Sequence, residues 1–218
     1  MANEGMKYKA SIAAIITGDV VNSTKLSPLQ EKQLFELLKR VAAAAKHKYE
    51  FFRGDSFQIY IDDPRHALHI ALVCRSLAIQ LTEKDERYDV RISIGIGEVN
   101  LPIKSLSIAK GDAFLLSGRN FDDLGDTRRL AISCGNEIAD IGLAVIADYL
   151  DNIYQGMTAK QAELITALLQ GITQQQMSIT LNKSKSTVSQ LAAAGRWPEI
   201  EKLLQQYKTI IEKLFPSL

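Results

Sequence analysis

Cysteine and histidine are scarce in this sequence, and their scarcity removes several kinds of chemistry. Of 218 residues two are cysteine and three are histidine. Cys74 lies in an apolar helical pattern and Cys134 closes an apolar run, with no ligand-like spacing to one another or to a histidine, so both read as buried free thiols. His47, His66 and His69 form no i, i+4 pair and accompany no nucleophile signature, which sets aside a zinc site and a hydrolytic triad. No apolar run approaches the roughly 18 residues of a membrane span, and no basic segment leads into an apolar one at the N-terminus. The expected setting is the cytoplasm, with no membrane partner. A field of one sign is also missing, because the formal net charge is +1. That total conceals a split: residues 157–218 hold seven Lys and Arg against four Glu, a net of +3, which leaves the first 156 residues at −2.

The apolar residues that are present, 46% of the chain, fall into two textures. In the first, a β-branched run from Lys9 to Thr17 ends in Gly18-Asp19, and Ser27-Pro28-Leu29-Gln30 opens a helix to about Lys46. Two strands over 49–53 and 56–61 flank a Gly-Asp turn, a helix follows Asp63-Pro64, and Val90–Gly97 is a further strand. Gly95 and Gly97 share one face of that strand, so something packs closely there. The order β-α-β-β-α-β is that of the ferredoxin-like split βαβ arrangement, an α+β sandwich. A helix from Gly111, a short strand from Leu130 and a helix from Asn136 complete a first domain over residues 1–156.

Two carboxylates stand out within it. Asp19 ends the first strand and Asp55 tips the hairpin, and acids at adjacent strand ends can hold Mg2+ or Mn2+ through oxygen ligands. The same residue types also satisfy turn backbone, so the spacing alone leaves both readings open.

Residues 157–218 carry almost no strand signal. Capping boxes at Thr158–Gln161 and Thr173–Gln176 open two short helices, and Ser184 caps a third after the turn Asn182-Lys183. Two short helices joined by a tight polar turn suit a small all-α helix-turn-helix domain with DNA as partner. Lys185, Ser186, Ser189 and Gln190 would then reach base edges or phosphates, with Lys183 and Arg196 as flanking phosphate contacts. A plain packing helix, which Ala192-Ala193-Ala194 would also allow, is the alternative.

Four stretches in order carry a resemblance: Gly18–Thr24, Arg53–Gln58, Val90–Gly97 and Gly111–Arg119. With them the first domain resembles the class III nucleotidyl cyclase homology domain, and the whole chain resembles the SatD-like family, which joins such a domain to a helix-turn-helix. The resemblance implies a cyclase-type sandwich, metal at Asp19 and Asp55, and a nucleotide ligand near Asn22, Ser23, Thr24, Phe51 and Ile108. It also implies a catalytic arginine at Arg119, although a surface helix arginine would read the same, and a homodimer. Phe51 and Ile108 stand where cyclases carry polar base-recognition residues, and Leu115 where they carry an asparagine. The expected function is therefore a transcriptional regulator with a degenerate cyclase-like sensor domain. An active nucleotidyl- or phosphoryl-transfer enzyme of the same fold is the alternative.

Overall fold

A computed structural model of the chain describes residues 9–44, 47–52, 54–83 and 86–218. Lys46 and Arg53, the expected ends of a helix and a strand, lie outside the described residues.

Residues 9–133 are built on a five-stranded sheet in the order β2-β3-β1-β4-β5. Its strands are β1 (Lys9–Val21), β2 (Lys48–Phe52), β3 (Ser56–Ile61), β4 (Asp89–Leu101) and β5 (Leu130–Ser133). The first four are antiparallel in the split βαβ order, and β5 adds in parallel beside β4. The long central pair sets the register of the site, with Asp19 opposite Arg91 on β4 and opposite Ser56 on β3.

Side-chain alternation gives the sheet two different faces. Ala14, Ile16, Phe57, Ile59, Val90, Ile92, Ile94 and Ile96 enter the main core, which helices α1 (Pro28–Ala44) and α2 (Ala67–Gln80) cover. The opposite face carries Ala13, Ile15 and Val99, packed with Ala113 of helix α3 (Asp112–Asp122). The α3 backbone rests directly on the β4 glycines. A Cβ at Gly95 would lie 2.2 Å from the Ala113 carbonyl oxygen and 2.4 Å from the Ser117 amide, which is why this strand position has no side chain.

Helix α2 is buried from Ala67 to Ile79 at every residue except His69. A helix that is buried on all sides needs cover on all sides. The sheet and α1 supply part of it, and α5 (Ala159–Leu169) supplies the rest. Ala162, Ile165 and Leu169 of α5 join the main core, while Leu164 and Ala167 form a second cluster with Met177, Val188 and Ala192. That cluster holds α6 (Gln174–Thr180) and α7 (Lys185–Ala194). Five small-to-medium buried side chains, each contributing no more than about 1.5–3 kcal/mol, are a slender core, so α6 and α7 depend on the way α5 is anchored. Hydrogen bonds pin that seam: His69 Nε2 lies 2.7 Å from the Leu169 carbonyl oxygen and Gln80 Nε2 donates to Thr166 Oγ1 at 2.5 Å. Helix α4 (Glu137–Gln155) and the terminal helix α8 (Trp197–Leu214) close the layer, with the Tyr207 hydroxyl donating to the Pro64 carbonyl at 2.6 Å. Among the described residues no helix is long and apolar enough to cross a membrane.

Candidate functional site

The sheet register brings the two singled-out acids to neighbouring positions. Asp19 forms the last β1–β3 pair, opposite Ser56, two residues before β1 ends, and the next residue, Val20, donates its amide to the Asp55 carbonyl at 3.1 Å. Gly54, at φ +89°, makes the turn that returns the chain into β3. Beyond β1, Asn22 adopts the left-handed conformation and donates Nδ2 to the Arg87 carbonyl at 2.9 Å, which aims the turn Ser23–Lys25 back at the hairpin. Ser23 then donates its hydroxyl to Asp55 Oδ2 at 2.8 Å. Asn22 and Ser23 thus position the carboxylate, and Thr24 continues the same turn, exposed.

Asp19 has a different partner. Arg91, its cross-strand neighbour, donates Nε to Oδ1 at 3.0 Å and Nη2 to Oδ2 at 2.5 Å, a two-point clamp on both carboxylate oxygens. The same guanidinium donates to the Gly125 carbonyl at 3.0 Å and lies 5.1 Å from the ring centre of Phe121 on α3. Hydrogen bonding to Asp19 first, then the charges of Asp19, Asp126 and Asp55 against partial burial, hold Arg91 above the usual arginine value. The donors are hard oxygens, the kind Mg2+ and Mn2+ prefer. As arranged they do not fit a divalent ion, because both oxygens of Asp19 and both of Asp55 are already engaged, and among the described residues no three Asp, Glu, His or Cys form a group that could hold a metal.

A polar strip continues from this pair along the α3 face. Ser117 donates to Thr17 Oγ1 at 2.6 Å, and Gln58 donates Nε2 to the same oxygen at 3.3 Å. Arg119 does not turn toward it. Ala113 and Ser117 face the sheet, whereas Leu115 and Arg119, one turn apart, are exposed on the outer side of α3.

Phe51 and Ile108 are not brought together. Phe51 points to the helical side, edge-on to Phe35 of α1 with ring centres 5.3 Å apart and 5.8 Å from Phe57. Its neighbour on β2, Glu50, therefore faces the other way, and it accepts from the amides of Leu106 and Ser107 at 2.7 and 3.2 Å. Burial would push the Glu50 carboxyl up, but these bonds and the Ser105 and Ser107 hydroxyls leave it below the ordinary value. Ile108 stands exposed on that clipped loop, beside a cavity of about 380 Å³ lined in part by Asn100, Ile103 and Lys110. The two residues lie on opposite faces of the sheet. Neither thiol is a nucleophile at neutral pH, since burial pushes Cys74 up to about 12 and Cys134 up to about 11.

In the C-terminal helices, Lys183, Lys185, Ser186, Ser189 and Gln190 are exposed, while Val188 and Ala192 are buried. Arg196 is engaged elsewhere. It pairs with Glu199 at 3.2 Å, hydrogen-bonds the Tyr149 hydroxyl and lies 5.0 Å from that ring's centre.

Arg91 and Glu50 are the site residues that sequence reasoning did not single out. The signal for Arg91 was a charged residue inside a β-branched strand, legible only once the strand register sets it against Asp19.

Solved structures provide a comparison for part of the chain. The chain resembles a bacterial light-regulated adenylyl cyclase at 17% identity and a TM-score of 0.42, over 60% of this chain and 45% of that one. It also resembles the adenylyl cyclase CyaB from P. aeruginosa (13% identity, TM-score 0.43, 59% of this chain and 79% of that one). The guanylyl cyclase Cya2 matches similarly (18%, 0.43, 59% and 77%). The likeness is one of fold. The chain spans less than half the length of the light-regulated cyclase it matches. No protein-family model and no curated protein matches it.

Proposed function

We propose that this protein is a DNA-binding regulator in which residues 1–156 form a cyclase-type domain that senses a nucleotide ligand without cyclising it, and residues 157–218 form a helix-turn-helix. The observation that carries the reading is the placement of α7. Val188 and Ala192 anchor it to α5 and α6, while Lys185, Ser186, Ser189 and Gln190 project from its first two turns into solvent, behind a turn bearing Lys183. A helix held in this way presents its N-terminal end to a major groove. Lys183 and Lys185 supply phosphate contacts and Gln190 a base contact; Arg196, bound to Glu199 and Tyr149, does not join them. A homodimer follows from the same reading, because paired half-sites match two-fold symmetry.

Selection from random duplex DNA with the full chain tests this. The expected result is an enriched sequence, with Lys183→Ala weakening binding to all sequences and lowering the salt slope by roughly one. Gln190→Ala is expected to cost about 1–3 kcal/mol on the selected site alone. No enriched sequence, together with affinity indifferent to Lys183→Ala and Lys185→Ala, would reject DNA reading.

One observation favours a second reading, an active nucleotidyl- or phosphoryl-transfer enzyme with the C-terminal helices as an interaction module. Asp19 and Asp55 do stand side by side where the β1–β3 pairing ends. In that reading Arg91 must release Asp19 before a metal ion enters, and Arg119 must meet its substrate from the exposed side of α3.

A further inference from the structure

We propose that Arg91 is a built-in cation that takes the place of a divalent metal ion at the ends of β1 and β3. Four features converge on its guanidinium. Both oxygens of Asp19 receive hydrogen bonds from it, the Gly125 carbonyl accepts a third, the Phe121 ring covers it, and the carboxylates of Asp55 and Asp126 are close enough to act on its charge. Four separate parts of the fold supply that cage: the end of β1, the turn between β2 and β3, the last turn of α3 and the turn that follows it. The ion pair is three-quarters or more buried on both sides, with 25% of the Arg91 side chain and 19% of that of Asp19 exposed, so it is a fixed arrangement and not a surface contact made in passing.

A guanidinium and a divalent ion satisfy the same carboxylate in incompatible ways. The guanidinium brings one charge, a planar fork and no free coordination position. A metal ion brings two charges, demands six oxygens and keeps positions for water and phosphate. To enter, it would have to strip Arg91 from both Asp19 oxygens and then sit beside the displaced positive charge, which nothing among the described residues would neutralise except the same acids. The site therefore holds its acids in place with no metal, which suits a domain that recognises a ligand by shape and hydrogen bonding along Thr17 and Gln58. The inference is independent of DNA binding, so a metal titration and a DNA selection fail separately.

The test is Mn2+ titration of the full chain, with free ion followed by electron paramagnetic resonance and folding checked by circular dichroism. Wild type is expected to show no saturable site in the millimolar range. Arg91→Met is expected to acquire one site, at least about tenfold tighter, because the competing charge and its two hydrogen bonds are gone. The double variant Arg91→Met with Asp19→Asn should lose it. Arg91→Lys keeps the charge but touches one oxygen at a time, so it is the variant least exposed to misfolding and is expected to lie between the two. Mn2+ binding by wild type as tight as by Arg91→Met or Arg91→Lys, or a folded Arg91→Met that binds no metal, would overturn the proposal.

Discussion

Arg75 and Arg91 perform the same chemistry at two depths. Arg75 of α2 is fully buried; it donates Nε and Nη2 to Asp89 at 3.0 and 2.7 Å, and its Nη1 lies 2.9 Å from Asp151 Oδ1, too far off the N–H direction for a hydrogen bond. The Tyr154 ring covers it with its centre 5.0 Å away. Burial would lower the Arg75 value, and Asp89 and Asp151 more than offset that, so the group stays charged in the core. Arg91, two residues along β4 from Asp89, makes the same two-point clamp with a quarter of its side chain exposed. The buried cluster ties α2, β4 and α4 together and has nowhere to exchange partners. The half-open one lies beside the hairpin tip and a polar strip, where a ligand can reach it.

The largest expected effect separates the two directly. Arg75→Met leaves two buried carboxylates without a cation and is expected to cost about 3–5 kcal/mol in denaturant unfolding. Adding Asp89→Asn and Asp151→Asn should recover part of the loss, because the uncompensated charges go with it. A smaller effect is expected at the half-open pair: Arg91→Ala should cost about 1–3 kcal/mol, and less in high salt. Equal losses at the two arginines would erase the distinction between them. The smallest effect concerns mild acid, where neither arginine titrates. His47 has its value lowered first by burial and by His66, against the pull of Asp62, and its Nε2 is buried without a partner. The unfolded chain therefore binds a proton near 6.5 while folded His47 stays neutral. The stability it contributes is complete above that pH and is lost as pH falls through the lower folded value. His47→Gln should flatten this part of a stability–pH profile; an unchanged slope would assign it elsewhere.

The two arginines also mark how far the sequence could be read. Local signals carried the elements: the box at Ser27–Gln30 opens α1, Thr158 and Thr173 open α5 and α6, and Gly95 marks the strand on which α3 rests. The order of strands followed from those elements by topology. Asp19 and Asp55 were legible because each follows a local landmark, the close of an apolar run and a glycine turn. Their partners were not, since Arg91 meets Asp19 across 72 residues of sequence and only the register makes them neighbours. Phe51 shows the same limit: one step of alternation decides which face it takes, and the motif spacing does not carry that choice. The cover that α5 gives to α2 was invisible for a related reason. A largely apolar helix says that it is buried and leaves open what buries it.

Whether the clamped carboxylates still support chemistry is read most directly by incubating the pure 218-residue chain with ATP or GTP and Mn2+ and assaying cyclic nucleotide by mass spectrometry. With Asp19 held by Arg91, Leu115 and Arg119 on the exposed side of α3, and Phe51 packed on Phe35, the expected result is no cyclic product above that of the Asp19→Asn variant. Cyclic AMP or cyclic GMP formed by wild type and abolished in Asp19→Asn would contradict it and make the protein an enzyme.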